Sequence, residues 1–151
     1  MALISDRDRE AITKLFAENL VDPVRMVYFT IPQSPLIVPG RPTCETCNDV
    51  QELVEEIAAT SDKISVDIHN FERERDVAKQ YGIDKVPALV IASGDETRVR
   101  FFGAPAGYEF STLIQDIQFI SKHQTNLAQA TREALAAISD PIRLQVFVTP
   151  T

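Results

Sequence analysis

DKVPALVIASGDETRVRFFG, residues 84–103, holds two apolar runs on either side of a short polar turn. PALVIAS (87–93) is aliphatic and β-branched, and TRVRFFG (97–103) returns after SGDE, so the stretch predicts two strands joined as a hairpin. A hairpin at this point makes the sheet mixed, because strands joined by helices upstream of it run parallel.

Upstream, helices and strands alternate. Ser5 and Asp8 form a capping box ahead of Ile12, Leu15, Phe16 and Leu20 at helical spacing, which predicts a helix over 6–20. PVRMVYFT (23–30) follows the Asp22-Pro23 breaker and predicts a buried strand. IPQSPLIVPGRPT (31–43), with four prolines and a glycine, predicts a loop. After Thr43, the residues Val50, Leu53, Val54, Ile57 and Ala58 make one helical face, and Ile64, Val66 and Ile68 then alternate as a strand. ERERDVAKQYG (72–82) predicts a short polar helix ending at Gly82, and Phe110, Leu113, Ile114 and Ile117 mark a last helix over 107–122. The order is a helix followed by β-α-β-α-β-β-α. With right-handed crossovers it predicts an α/β fold with a mixed central sheet and helices on both faces.

Composition narrows the function. The 151 residues are 44% hydrophobic and 25% charged, which suits one ordinary globular domain, and the net charge of −7 leaves no basic stripe for nucleic acid or anionic membrane. The N-terminus does not read as a signal peptide, and the longest apolar run, VPALVIA (86–92), is too short to span a bilayer. These features predict a soluble cytoplasmic protein.

The two cysteines of the chain, Cys44 and Cys47, sit in RPTCETCNDV at the mouth of a predicted helix. Three readings are open: a redox dithiol, half of a metal site, or a structural disulfide. In a helix's first turn, residues i and i+3 are near enough to close and reopen a disulfide, and the positive helix end favours a thiolate on the outer Cys44. Cys44 then attacks first and Cys47 resolves. Zinc would need further soft ligands, and His69 and His123 stand singly in different elements without paired spacing. His69 reads more simply as a hydrogen-bonded or solvated residue, ERERD as a solvated helix face, and Tyr28, Phe29, Phe101, Phe102 and Phe110 as core. Val86-Pro87 before a strand is either a trans start or a cis-Pro87 that leaves the Val86 backbone to pair with an extended substrate.

PTCETC after the first strand, YGIDKVPALVI about forty residues later, and VRFFGAPAGYEF before the last long helix resemble the thioredoxin and glutaredoxin superfamily. More narrowly, they resemble the amino-terminal unit of the glutaredoxin-like tandem-domain protein disulfide oxidoreductases. The resemblance implies a thioredoxin-like fold and thiol–disulfide exchange with protein substrates. It also implies Cys44 as nucleophile, Cys47 as resolver, the two forming a redox-active disulfide, and a cis-Pro87 wall, with Thr43 and Val86 beside it as substrate contacts. No G-x-G-x-x-G follows a strand, so no flavin or nicotinamide cofactor is expected, the unpaired histidines give no reason to expect a metal, and electrons come from another protein or a small thiol. Three departures stand out: the proline-rich segment 31–43 before the cysteines, Glu45-Thr46 between them, and no acid in VRMVYFT to accept a proton. Glu45 disfavours the thiolate, which predicts a reducing pair. Cys44 is expected exposed and Cys47 buried. The alternative is a redox-weak structural or docking unit.

DPVRMVYFTIP (22–32) has an echo in DPIRLQVFVTP (140–150) at constant offset, each after a predicted helix, 6–20 and about 127–138. The echo predicts a first unit over 1–125 and, over 126–151, a helix and strand opening a second thioredoxin-like unit in a longer protein. A strand at 142–148 without its own sheet is expected to pair with an edge of the first unit or with a second copy as a homodimer.

Overall fold

The computed structural model describes residues 3–32, 40, 43–94 and 96–147. The elements are α1 (Asp6–Asn19), β1 (Val24–Thr30), α2 (Cys47–Ala58), β2 (Ile64–Asn70), α3 (Arg75–Gln80), β3 (Ala88–Ser93), β4 (Glu96–Phe102), α4 (Tyr108–Lys122) and α5 (Gln129–Ala136). Most of the expected 31–43 loop lies outside the described residues.

Among the described residues, the sheet has the order β2-β1-β3-β4. β1 runs parallel to β2, with Phe29 opposite His69, and antiparallel to β3. β3 and β4 form the expected hairpin, with Ala88 opposite Phe102. The fold is α/β with a mixed sheet, but its parallel pairing is confined to β1 and β2: β3 follows α3 and yet runs antiparallel to β1, because the short α3 segment returns the chain to the other side of β1 in the opposite sense.

Alternation along β1 divides the core. Met26 and Tyr28 point into a cluster with Phe16 of α1, Val50, Val54 and Ile57 of α2, and Leu113 and Ile117 of α4. Val27 and Phe29 point the other way, into a cluster with Phe71, Ala78 of α3, Ile83 and Val90. β1 is therefore covered on both faces, which explains its nearly continuous apolar sequence.

Ser5 caps α1 as expected: its Oγ accepts from the Asp8 N–H at 3.2 Å and donates to the Asp8 carboxylate at 2.6 Å. α3 ends at Gln80 with Tyr81 as its C-cap, and Gly82, with φ of +68°, supplies the left-handed residue that closes it.

The C-terminal segment departs from expectation. α5 forms within the predicted helix, but residues 141–147 form no strand and pair with neither sheet edge. Ile142, Leu144, Val146 and Phe147 are all exposed. A strand is held by a partner ladder and a buried face, and here this segment has neither. Residues 148–151 lie outside the described residues.

Candidate functional site

β1 ends at Thr30, and the chain re-enters at Thr43 to place the cysteines beyond the carboxyl end of the central strand. Cys44 and Cys47 are joined as a disulfide, with S–S 2.01 Å and Cα–Cα 5.4 Å. The chain is thus seen in its oxidised form.

The helix begins later than the sequence suggests. Cys47 is the first residue of α2 and Thr46 its N-cap, so Cys44 lies just before the bend that leads into the helix rather than in its first turn. Thr46 makes no side-chain cap bond, and the Glu45-Thr46 bend supplies the reversal that brings the sulfurs together. Cys47 is fully buried. Cys44 is half-buried rather than exposed, because it packs against the α3-side core beside Val86.

Cys47 is fixed from below. The buried Tyr28 hydroxyl donates to its backbone carbonyl at 2.7 Å. Burial is the main cause that pushes the Tyr28 phenol from 10.0 up to about 12, with a hydrogen bond to Thr30 acting the other way. Nothing in VRMVYFT singles out this tyrosine, whose aromatic side chain reads simply as core.

The Val86–Pro87 peptide is cis, as one of the two sequence readings has it. Pro87 is buried and Val86 half-buried, just ahead of β3. The Pro87 carbonyl accepts from the Gly103 N–H at 2.9 Å, so the end of the hairpin fastens the proline turn. Thr43 is exposed. Cys44 and Val86 pack against the same core cluster, so the dithiol and the proline turn lie on one side of the sheet.

The histidines stand apart from the sulfurs. His69 Nδ1 lies 2.8 Å from Glu74 Oε1, and its ring stacks on Phe29. The His69 contact, with the Asn70 N–H, holds the Glu74 carboxyl below its usual range. His123 closes α4 in a left-handed conformation and lies 3.2 Å from an Asp22 oxygen.

Two grooves flank the site. One, of about 460 Å³, lies between the start of α1, α2 and the 104–107 loop. The other, of about 730 Å³, lies between α3 and the end of β4 and includes Lys85. Phe102 is exposed on this second groove rather than buried in the core, because it ends an edge strand.

Among curated proteins, the chain is 25% identical over 99 residues to an alkyl hydroperoxide reductase component of Xanthomonas campestris pv. phaseoli, a match to 66% of this chain and 17% of that protein. It is 26% identical over 107 residues to an NADH dehydrogenase of Bacillus subtilis, across 71% of this chain and 19% of the other. The chain thus spans under a fifth of the curated relatives it matches. Among solved structures, a protein disulfide oxidoreductase from Aeropyrum pernix superposes with TM-score 0.71 at 27% identity, covering 88% of this chain and 54% of that one. The NTD N/C domain of an alkylhydroperoxide reductase from Enterococcus faecalis gives TM-score 0.73 at 20% identity, covering 89% and 60%, which speaks for the fold alone. The family model described as thioredoxin domain matches residues 37–115, from before the cysteines into α4. That is just over half of the 151 residues and takes in the dithiol, the proline turn and the hairpin, so the chain belongs to the thioredoxin domain family.

Proposed function

We propose that the chain is a thiol–disulfide oxidoreductase that exchanges disulfides with protein substrates through Cys44 and Cys47. The observation that carries this reading is the closed Cys44–Cys47 disulfide, whose buried member is anchored and whose outer member packs against the same core cluster as Val86 of the proline turn.

In the reduced protein, the Cys44 thiolate attacks one sulfur of a substrate disulfide. An S–S bond forms between Cys44 and the substrate, and the other substrate sulfur leaves as a thiolate and takes a proton. Cys47 then attacks Cys44 Sγ, releases the second substrate thiol, and closes the disulfide seen here. The substrate gains two electrons and the protein loses two. A protein dithiol or a small thiol restores them.

The difference in burial supports these roles: Cys44 is partly accessible, as an attacking thiol must be, and Cys47 is buried, as suits a thiol that acts only within the chain. An extended substrate pairs with Val86, against Pro87, with Thr43 on the near side. The exposed Glu45 beside the nucleophile disfavours its thiolate and makes the pair reducing. On the same reading residues 126–151 open a second unit; α5 and the echo of 22–32 in 140–150 support this.

Reduction of a disulfide-bonded protein such as insulin, followed by turbidity and by thiol counts in graded redox buffers, tests the proposal. Cys44→Ser is expected to bring the rate to background, and Cys47→Ser to accumulate a mixed disulfide with substrate. An unchanged rate in Cys44→Ser would sink the reading in favour of a structural or docking unit.

A further inference from the structure

The groove between α3 and β4 reverses the charge of the molecule. The chain carries a net charge of −7, yet this groove presents Arg75, Lys79 and Lys85 against the single carboxylate of Asp84. That carboxylate is already 3.8 Å from the Lys85 ammonium. The walls are aromatic: the Arg75 guanidinium sits over the Phe71 ring at 4.5 Å, and the Lys85 ammonium over the Phe102 ring at 4.9 Å. Arg75 and Lys85 are thus each held against a ring face, which keeps them over the groove at low cost in side-chain freedom. The groove on the opposite face of the sheet has the other sign, with Asp8 and Asp49 at its edge.

The basic groove adjoins the exchange site through the backbone. Lys85 precedes Val86, and Phe102 is opposite Ala88 in the hairpin register. The next residue, Gly103, donates to the Pro87 carbonyl. Phe71, Ala78 and Ile83, which line the groove, belong to the same core cluster against which Cys44 packs. An extended segment advances about 3.3 Å per residue, and Lys85 is the chain neighbour of Val86, so the groove starts within a residue or two of the proline turn.

We infer that this groove receives an acidic segment of the protein substrate, with Asp or Glu two to four residues from its disulfide cysteine. The inference rests on the exchange reading and deepens it by naming the substrate class. Opposite charge at a wet, exposed groove acts mainly on encounter and selection among partners, and it weakens with salt.

The test uses two disulfide-linked peptides identical except for Asp-Glu or Lys-Lys three residues from the cysteine. The wild-type chain is expected to reduce the acidic peptide about tenfold faster in kcat/KM at low salt, with the ratio falling toward one at about 0.5 M salt. In Arg75→Gln/Lys79→Gln, both exposed positions on α3, the ratio is expected to fall below about threefold. Because the readout is a ratio, a general change in Cys44 reactivity cancels. In parallel, labelled peptides with serine in place of cysteine are titrated onto Cys44→Ser/Cys47→Ser, which reports docking without chemistry. Reduction of both peptides at equal rates overturns the groove inference and leaves the exchange reading standing. Tight binding of the acidic serine peptide, weakened by the α3 substitutions, with no reduction of any peptide, supports the groove and overturns the exchange reading.

Discussion

Tyr28 is the residue on which the position of the buried sulfur depends. Its hydroxyl spans from the central strand to the first carbonyl of α2, and both partners are buried. Tyr28→Phe keeps the ring and removes the hydroxyl bond to that carbonyl, which is expected to cost about 1 kcal/mol in denaturant unfolding. The phenol also makes stability depend on alkaline pH. In the unfolded chain it ionises near 10, whereas in the folded chain it holds its proton to about 12. The unfolded state therefore loses the proton first, so the contribution is fully present below pH 10 and is lost as pH rises through about 12. The loss is on the order of 3 kcal/mol. The Phe variant should lack it, and a matched decline in both proteins would refute this role. The cysteines and the Val-Pro pair were legible in the sequence because their chemistry follows from residue type and spacing. Tyr28 was not, since the partner of a hydroxyl is set by the fold. Nor were Arg75, Lys79 and Lys85, which come from two segments and meet only when α3 packs beside the hairpin.

Among the elements, α1 is bound to α2 by one carboxylate. Glu56 accepts from the Leu3 N–H at 2.8 Å and the Ile4 N–H at 3.0 Å, and it lies 3.2 Å from Arg9 Nη2. Partial burial raises the Glu56 pKa, but the two N–H donors and Arg9 outweigh it and hold the carboxyl below its ordinary value. A lowered folded pKa stabilises above the unfolded carboxylate range, and that stability is lost as pH falls through the folded value. Glu56→Ala is expected to cost about 1–2 kcal/mol near pH 7, with the difference from wild type shrinking on acidification. Unfolding curves at pH 7 and pH 3 check both parts. Helix boundaries were the least legible features at this scale. The expected polar helix from residue 72 begins at Arg75, because Asn70 Oδ1 takes the N–H groups of Glu72 and Arg73 in a turn. The apolar periodicity that locates a helix says little about such local caps.

At the scale of the whole molecule, two segments of similar sequence meet opposite fates. Residues 24–30 lie at the centre of the sheet with both faces covered, while 141–147 have every described side chain exposed. Sequence pattern identified both as strand-forming, but a strand is completed by its neighbours, which a local pattern does not contain. The fold class was legible because hairpin and crossover rules leave few arrangements, whereas the strand order β2-β1-β3-β4 emerges only in the structure. The central position of β1 also sets a timetable for the backbone. Amide deuteration reads local opening, and opening β1 requires disrupting its neighbours and both core clusters. Amides within 26–29 are therefore expected to exchange last, at the rate of global unfolding, those of edge strands β2 and β4 earlier, and those of 126–147 first. Mass spectrometry of peptides from timed deuteration checks this order; early exchange in β1 would mean that the sheet opens from its middle.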